Sequence, residues 1–329
     1  MAPLALTLGE PAGIGPDITL MAWHARHDLD VPPFYLCADG AALTRRAKQL
    51  GLSLRLAHVS PEEAAAAFPR ALPVVETDVE ATAGPGRPDS TSAPAAIASI
   101  RRAVTDVIQG RASAIVTNPI AKSVLYRAGF DHPGHTEFLA ELAGTVTGGA
   151  PVMMLWSEQL CVVPVTIHVP LRSLWNALTP ERITATADIT AQALRSRFGI
   201  ASPRLVIAGL NPHAGEDGAL GDEEETILAP AIRAARAQGI NLNGPFPADT
   251  LFHERARQTY DCALCIYHDQ ALIPIKTLAF DQAVNVTLGL NLIRTSPDHG
   301  TAFDIAGTGT ARPDSLIAAL RLAARMATV

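Results

Sequence analysis

The sequence has few charged residues, little lysine and no long uninterrupted apolar run. No apolar stretch approaches the roughly 18 residues of a membrane-spanning helix, so we expect no membrane-spanning segment. The formal net charge of −6 comes without a basic stripe, which argues against nucleic acid as a partner because phosphate neutralisation needs clustered cations. No period of about 20 to 50 residues repeats, which excludes a solenoid.

The overall amino-acid composition is typical of a compact globular chain. Hydrophobic residues make up 48% of the 329 positions and the mean hydropathy is +0.18, which excludes disordered and fibrous classes. The length allows one large α/β domain or two lobes. The N-terminal segment MAPLALTLGEP has no basic region or cleavage site of an export signal, so we expect a cytoplasmic protein.

Only three of the 26 basic residues are lysines, namely Lys48, Lys122 and Lys276. An ammonium group supplies a point charge or an exchangeable proton that a guanidinium group cannot replace. Because almost every other basic residue is arginine, the lysines are candidates for supplying such a point charge or proton. We expect this of Lys122 and Lys276, and we interpret Lys48, in a predicted helix, as a surface residue.

The four cysteines lie in apolar stretches that are predicted to be strands. Cys262 and Cys265 have the spacing of a redox motif, but residues i and i+3 of a strand point to opposite faces and cannot share a metal or a disulfide. We therefore expect buried free thiols at Cys37, Cys161, Cys262 and Cys265.

The common nucleotide-binding loop motifs are missing from the chain. It contains neither GxGxxG nor a Walker A sequence, so neither a Rossmann nor a P-loop site is expected. The glycine-rich segment GEPAGIGPD (9–17) follows the first predicted strand and opens a helix near Pro16. Its glycines permit a tight turn close to a ligand.

Short β-rich runs alternate with helical patterns, which predicts an open, largely parallel α/β sheet. The predicted strands cover 4–8, 34–38, 73–76, 112–117, 204–209, 262–267 and 283–288. One predicted helix begins at Pro16, another ends at Leu50, and a third runs from Ser92 to Gly110. Three further helices are predicted over 180–197, 223–237 and 313–327. Residues 152–156 and 160–169 are predicted to form a hairpin, and an antiparallel element in such a chain indicates a second lobe.

Three histidines follow apolar strands in the same way. His168 ends VVPVTIH, His213 follows RLVIAGLNP, and His268 follows CALCIY. Ligands of open α/β sheets bind at the carboxyl edge of the strands, so three imidazoles there could form a metal site with positions open for substrate. For any one of them a structural histidine is the simpler interpretation, whereas the coincidence of three favours a metal site.

Acidic side chains in two loops have a structural and a functional interpretation. In GEDGALGDEEE, the glutamates 223–225 are expected only as favourable charges in the first turn of a helix. In GPFPADTLF, two prolines stiffen the approach to Asp249, which is interpreted either as a general base or orienting carboxylate, or as the cap of the next helix.

Five further residues have the side chains that an anion-binding site needs. Charge and hydrogen-bond donors together recognise phosphate or carboxylate, and we expect these residues at strand ends or helix starts. They are His135 and Thr136 in GHTEF, Lys276 after ALIPI, Asn285 in AVNVT and Arg294 in LIRTS. For His135 or Thr136 alone, a helix N-cap is the competing interpretation.

These segments together resemble the PdxA family, the 4-hydroxythreonine-4-phosphate dehydrogenases of vitamin B6 biosynthesis, over nearly the whole chain. The matching segments are GEPAGIGPD, TNPIAK, GHTEF, GLNPHAGEDGALGDEE, NGPFPADTLF, YHDQALIPIK, VNVTLGL and IRTSPDHGTAFDIAG. The family shares the fold group of isopropylmalate and isocitrate dehydrogenases. The segment DHGTAFDIAG of this chain resembles the nucleotide-binding loop of those enzymes. Ala271 departs from the family, which usually has glycine there, and Asn118 stands where some members have glycine.

The resemblance implies a two-lobed isocitrate/isopropylmalate dehydrogenase-like α/β fold with the active site in the interlobe cleft. Residues 1–130 and 285–329 would form a terminal-segment lobe that carries the nucleotide loop. Residues 131–284 would form a central lobe with the metal ligands and the dimer interface. The implied assembly is a homodimer in which the metal site is shared across the interface.

The resemblance also assigns roles to the candidate residues. It implies that one divalent ion per active site, zinc, magnesium or cobalt, is held by His168, His213 and His268. The phosphorylated substrate would be bound by His135, Thr136, Lys276, Asn285 and Arg294. NAD or NADP would be bound by His299, Gly300, Thr301 and Asp304. We expect Asp249 to remove a proton, and Lys276 to bind phosphate or to transfer a proton.

The activity implied by the resemblance is oxidation of 4-phosphohydroxy-L-threonine at C3 with NAD, followed by decarboxylation to 3-amino-2-oxopropyl phosphate. Three alternatives remain open at this stage. A paralogous dehydrogenase would oxidise 4-phospho-D-threonate or 4-phospho-D-erythronate. A metal-dependent phosphoester hydrolase would leave the nucleotide loop without a role, and a non-catalytic phosphometabolite-binding protein would not reduce NAD.

Overall fold

The computed structural model describes residues 2–132, 134–146 and 148–329, and these form two compact units. The first unit comprises Met1–Pro151 with Leu290–Thr328, and the second comprises Val152–Gly289 with Val329. Each unit contains six of the strands and has its own apolar core.

The boundaries of these units differ from the lobes expected from the sequence, 1–130 with 285–329 and 131–284. Residues 131–151 belong to the first unit, because Phe138 and Leu139 pack in its apolar core. Residues 285–289 belong to the second unit, because they lie in a strand that pairs with Val152–Trp156.

The first unit is a parallel sheet with helices. Its strands are β1 (Leu4–Thr7), β2 (Phe34–Ala38), β3 (Leu56–His58), β4 (Leu72–Glu76), β5 (Ile115–Thr117) and β12 (Arg294–Pro297), in the order β3-β4-β2-β1-β5-β12. Every residue of β1 and β2 is buried, as expected for parallel strands that are covered on both faces. Its helices are α1 (Gly15–His24), α2 (Gly40–Gln49), α3 (Ala64–Ala67), α4 (Ser92–Ile108), α5 (Lys122–Arg127), α6 (His135–Ala143) and α13 (Asp314–Met326).

The second unit is a mixed sheet. Its strands are β6 (Val152–Trp156), β7 (Cys161–Pro164), β8 (Leu205–Ala208), β9 (Leu242–Phe246), β10 (Cys262–Cys265) and β11 (Val284–Leu288), in the order β11-β6-β7-β10-β8-β9. The β6–β7 hairpin is antiparallel, as predicted, and so is the β11–β6 pair, whereas β7, β10, β8 and β9 run parallel. Its helices are α7 (Leu174–Ala177), α8 (Pro180–Phe198), α9 (Ala229–Ala237), α10 (Ala248–Leu251), α11 (Glu254–Arg257) and α12 (His268–Ala279).

Prolines hide two elements of the second unit from sequence analysis. Strand β9 contains Pro245, which its edge position tolerates because one side of an edge strand needs no partner. Helix α12 contains Pro274 in its interior, where proline removes a hydrogen bond and normally predicts a break. The helix predicted over 223–237 also begins differently, with a π-helical segment over Glu224–Leu228 before α9.

The two apolar cores account for the burial of Cys37 and Cys265. Cys37 lies in the core of the first unit beside Tyr35 and Ile100, and Cys265 lies in that of the second unit beside Leu155 and Val162. All four thiols are buried and free, which confirms the expectation, and burial raises the pKa of Cys37 and Cys265.

Among the described residues, no helix combines the length and the apolar character that crossing a membrane demands.

Candidate functional site

Two of the three histidines predicted at the carboxyl edge lie together in the second unit. His268 begins α12 directly beyond β10, and His168 follows β7, which is the parallel neighbour of β10. Their ring centroids are 5.9 Å apart. Both rings line a cavity of about 340 Å³, together with Tyr267 and Asp269.

A carboxylate orients one of these rings. Nδ1 of His268 donates to Oδ1 of Asp269 over 2.7 Å. A histidine held in this way carries its proton on Nδ1 and keeps the lone pair of Nε2 for a ligand. The arrangement is the usual support of a metal-binding imidazole.

The spacing of the two rings fits a shared divalent ion. Imidazole nitrogens about 2.1 Å from one ion put the ring centroids about 5 to 6 Å apart, which agrees with His168 and His268. Within the ranges that the structure describes, no group of three or more histidine, cysteine, aspartate or glutamate side chains has metal-binding geometry. Among the described residues, His168 and His268 are therefore a pair of candidate ligands, and His213 does not form a three-residue group with them.

His213 lies on an exposed turn with unusual backbone geometry. Its φ is 52° and that of Ala214 is 53°, in the left-handed region that non-glycine residues seldom adopt. The turn lies close to the end of β8, since a Cβ on Gly209 would lie 2.9 Å from Cα of Ala214. Strained backbone of this kind persists only where surrounding contacts hold it.

Glu224 supplies such contacts, and the expectation that it is only a helix-dipole charge is wrong. Its side chain is buried, and Oε1 accepts the backbone N–H groups of Leu210 and Asn211, each over 2.8 Å. Oε2 accepts from Nδ2 of Asn211 over 2.9 Å. The carboxylate thus fixes the chain immediately before His213, through contacts 13 and 14 residues apart that local sequence patterns do not reveal.

Asp249 is exposed in the short helix α10, which packs against the Pro212–Gly215 turn that carries His213. The interpretation of Asp249 as a helix cap is wrong, because Pro247 occupies the N-cap of α10 and His253 caps α11. Its carboxylate is therefore available to a ligand from an element next to the His213 turn.

Two predicted anion donors of the second unit do not lie where the sequence placed them. Lys276 is in the last turn of α12, with Nζ 5.9 Å from the ring centroid of Phe280. Asn285 is inside β11, opposite Leu155 of β6. The expectation of strand ends or helix starts fails for both residues. For Lys276 it fails because Pro274 concealed the helix that carries it.

The first unit contains the other predicted anion donors, and these do lie at element starts. His135 and Thr136 begin α6, whose N-cap is Gly134, so the N-cap interpretation of either residue is wrong. Arg294 begins β12 with its side chain buried, and Nε and Nη2 donate to Oγ1 of Thr117 over 3.0 and 2.7 Å.

The imidazole of His135 is half-buried beside two cations. Nε2 is buried and has no hydrogen-bond partner among the described residues. Burial lowers the pKa of His135 well below its usual 6.5, and the charges of Arg294 and Lys122 lower it further. Burial also lowers the pKa of Arg294 to about 10. An anion would relieve the repulsion in this group and would satisfy the buried nitrogen.

Lys122, which the scarcity of lysine singled out, belongs to the same group. A Cβ on Gly134 would lie 3.1 Å from its Nζ, so the ammonium lies directly over the start of α6. Within the described part of the chain, no ion pair of Lys122 is formed. We call His135, Thr136, Arg294 and Lys122 the cationic pocket.

The segment over 298–307 forms an exposed loop that is anchored at two points. Ile14 donates its N–H to the carbonyl of Thr301 over 2.9 Å, and Gly307 donates its N–H to Oδ2 of Asp17 over 2.6 Å. Asp17 is itself buried in an ion pair with Arg46. These contacts hold the loop while its outer side chains stay accessible.

The candidate cofactor residues lie on the accessible side of this loop. His299, Gly300 and Asp304 are exposed, and Thr301 is half-buried. A Cβ on Gly300 would meet nothing within 4 Å, so there is room for a ligand against the backbone. An anchored loop with open space beside a glycine fits a bound nucleotide.

Glycines of the segment 9–17 pack closely against protein backbone. A Cβ on Gly13 would lie 2.9 Å from the carbonyl oxygen of Thr301, and one on Gly9 would lie 2.6 Å from that of Pro119. These glycines permit the close packing that supports the 298–307 loop.

The fold and these groups of residues define the class of the protein, an α/β metabolic enzyme. The chain matches the family model described as "Pyridoxal phosphate biosynthetic protein PdxA" over residues 30–323, and it belongs to this family. The resemblance seen in the sequence is thereby confirmed.

Relatives of the chain include several 4-hydroxythreonine-4-phosphate dehydrogenases. The chain is 67% identical to a 4-hydroxythreonine-4-phosphate dehydrogenase of Bradyrhizobium diazoefficiens, across 99% of this chain and 97% of the other. It is 61% identical to that of Methylorubrum populi, across 99% and 94%. The crystal structure of the Klebsiella pneumoniae enzyme superposes with a TM-score of 0.89 at 38% identity, and the match covers 99% of this chain and 100% of the other.

The lowered pKa of His135 predicts a pH dependence of stability. Its pKa is lower in the folded state than in the unfolded state, so the unfolded state takes up the proton first and stability falls as the pH drops below about 6.5. His135→Gln cannot take up this proton and should lose less stability between about pH 7.5 and pH 5.5, by at most about 1.4 kcal/mol per pH unit.

Urea unfolding at the two pH values measures this difference. His27→Gln, at an exposed histidine of the same unit, is the control. The same loss of stability in the wild type and in His135→Gln would contradict the described burial of the ring.

Proposed function

We propose that this protein is the 4-hydroxythreonine-4-phosphate dehydrogenase that oxidises 4-phosphohydroxy-L-threonine at C3 with NAD or NADP and releases carbon dioxide to give 3-amino-2-oxopropyl phosphate. The observation that carries the proposal is the cationic pocket, a group built for an anion in a chain whose relatives bear this name. The reaction serves pyridoxal phosphate biosynthesis.

The cationic pocket would bind the phosphate group of the substrate. Nε2 of His135 and the hydroxyl of Thr136 offer donors at the start of α6, where the helix dipole also favours an anion. Arg294 and Lys122 supply the positive charge. Lys276 and Asn285 of the second unit are proposed as further substrate donors.

Histidine side chains would hold the divalent ion. His168 and His268 are the supported pair, and His213 is proposed as the third ligand. Imidazole donors favour zinc or cobalt over magnesium, which prefers oxygen. When bound, the ion would act as a Lewis acid that lowers the pKa of the C3 hydroxyl.

The chain's own residues would then handle the proton. The carboxylate of Asp249 would take the proton of the C3 hydroxyl, and a bound nicotinamide cofactor would supply the acceptor for the hydride of C3. Oxidation produces a β-keto acid, whose bond to the carboxylate breaks because the electrons left behind delocalise into the ketone. Lys276 is the candidate for returning a proton to that carbon.

The cofactor would lie against the 298–307 loop. The donors and acceptors proposed for the nucleotide are the accessible groups of His299, Gly300, Thr301 and Asp304. The Asp17 and Ile14 contacts keep this loop preformed, so binding would spend little free energy on ordering it.

A homodimer with a shared metal site completes the proposal. The segment after β7 and helix α12, which carry His168 and His268, also expose large apolar side chains. These are Ile167, Leu171, Trp175, Ile273 and Phe280. Exposed apolar groups of this size favour burial against a second copy.

We place the enzyme in the cytoplasm, with support from its four free thiols.

The assay that tests the proposal follows NADH formation by its near-ultraviolet absorbance. Metal-loaded protein should reduce NAD with 4-phosphohydroxy-L-threonine, and chelation should abolish the activity. His268→Ala should lose turnover at least about 100-fold because a ligand of the ion is removed, whereas His27→Ala should not. Reduction of NAD only with 4-phospho-D-threonate or 4-phospho-D-erythronate would contradict the proposed substrate. No reduction of NAD with any of the three compounds would contradict the proposed dehydrogenase activity.

Lys122 should contribute to substrate affinity through its charge. A hydrogen bond to a charged group is worth about 1.5 to 3 kcal/mol, so Lys122→Ala should raise KM about 10- to 100-fold and change kcat little. Lys122→Arg should recover part of the affinity, and Lys48→Ala, at an exposed lysine of α2, is the matched control. Wild-type KM in Lys122→Ala would remove Lys122 from the phosphate site.

A further inference from the structure

Arg294 reaches the cationic pocket from the beginning of its strand. It is the first residue of β12 and lies opposite Ile115 of β5, to which β12 runs parallel. Thr117 lies two residues further along β5 and therefore on the same face of the sheet. The contact with Thr117 carries the guanidinium toward the carboxyl edge of the sheet, where ligands of parallel sheets bind.

Two hydrogen bonds fix the plane of this guanidinium. Nε of Arg294 donates to Oγ1 of Thr117 over 3.0 Å, and Nη2 donates to the same oxygen over 2.7 Å. Because a guanidinium is planar, donors held on one edge set the direction of its other N–H groups. The exposed fraction is 6% for Arg294 and 1% for Thr117, so both bonds are shielded from water.

The acceptor in this contact is uncharged, unlike the partner of another buried arginine in the same unit. The guanidinium of Arg46 is paired with the carboxylate of Asp17, which offsets its charge. A hydroxyl oxygen orients a guanidinium through hydrogen bonds and adds no negative charge. The contact with Thr117 therefore orients Arg294 without reducing its attraction for an anion.

Thr117 itself is held firmly at the end of β5. It pairs with Thr7 of β1, and the next residue, Asn118, is bonded to the same strand. The backbone N–H of Asn118 donates to Oγ1 of Thr7 over 3.2 Å, and its Nδ2 donates to the carbonyl of Thr7 over 2.9 Å. Nδ2 of Asn118 also donates to Oγ1 of Thr19 in α1 over 2.9 Å. The oxygen that holds Arg294 thus has a rigid base in β1 and α1.

The guanidinium lies close to the imidazole of the pocket. The charge of Arg294 contributes to the lowered pKa of His135, whose buried Nε2 has no hydrogen-bond partner among the described residues. An anion that binds this nitrogen would also be attracted by the charge of Arg294. Displacement of the guanidinium would weaken that attraction and would leave buried donors without an acceptor.

We propose that Thr117 is a positioning residue of the phosphate site, which holds the guanidinium of Arg294 toward the carboxyl edge of the sheet without neutralising it. The inference rests on the proposed function, in which the cationic pocket binds the phosphate group of the substrate. Thr117 acts on that phosphate through Arg294.

The affinity of the full-length protein for inorganic phosphate, measured by calorimetry, tests this inference. Thr117→Val keeps the shape of the side chain and removes the oxygen, and should weaken phosphate binding about 10- to 100-fold. Thr117→Ser keeps the oxygen and should bind phosphate with nearly the wild-type affinity. Thr295→Val is the matched control and should leave the affinity unchanged, because the hydroxyl of this buried threonine donates to Ala319 in α13.

Steady-state kinetics of NAD reduction separate positioning from general destabilisation. Thr117→Val should raise KM for the phosphorylated substrate by a similar factor and change kcat little, because phosphate binding stabilises the bound substrate and the transition state alike. A merely destabilised protein would contain less active enzyme, which lowers the apparent kcat and leaves KM unchanged.

Thr117→Val with wild-type phosphate affinity and KM would overturn the role of Thr117, and Thr117→Ala takes its place if Thr117→Val does not fold. Equal losses of affinity in Thr117→Val and Thr117→Ser would overturn the role of the oxygen. A wild type that binds phosphate but reduces no NAD would contradict the proposed function, and the phosphate affinities of the variants would then decide the inference. A wild type that binds no phosphate would overturn the phosphate site, and the inference with it.

Discussion

Three neighbouring parallel strands of the second unit, β7, β10 and β8, share backbone hydrogen bonds that bring their carboxyl ends to one edge. Everything proposed for the metal site depends on this pairing. It places His268 and His168 side by side, and it brings the carbonyl of Gly209 within reach of Gln270. A register shift of one residue would turn each histidine-bearing segment toward the opposite face.

The two units use different physical means to prepare for a ligand. In the first, burial and two neighbouring cations lower the pKa of His135, and its ring offers a hydrogen bond while Arg294 and Lys122 provide the charge. In the second, the carboxylate of Asp269 fixes the tautomer of His268. Both means organise the groups before a ligand arrives, which lowers the entropy that binding must overcome.

The sequence predicted the α/β class, the β6–β7 hairpin, most strands and the edge position of His168 and His268, because apolar periodicity is a local signal. It did not reveal the burial of Glu224 or the hydrogen bond from Gln270 to Gly209, since both depend on contacts between segments distant along the chain. Pro274 misled the interpretation of Lys276, because the surrounding packing tolerates a proline that local rules treat as a helix break. The metal-ligand role proposed for His213 rests on its position after a strand and on the resemblance.

X-ray absorption at the zinc K-edge of the metal-loaded protein tests most directly whether His168, His213 and His268 bind one ion. We expect three imidazole nitrogens about 2.0 to 2.1 Å from each zinc ion in the wild type, and two in His213→Ala. A wild-type spectrum with two imidazoles or fewer, unchanged by His213→Ala, would contradict this expectation.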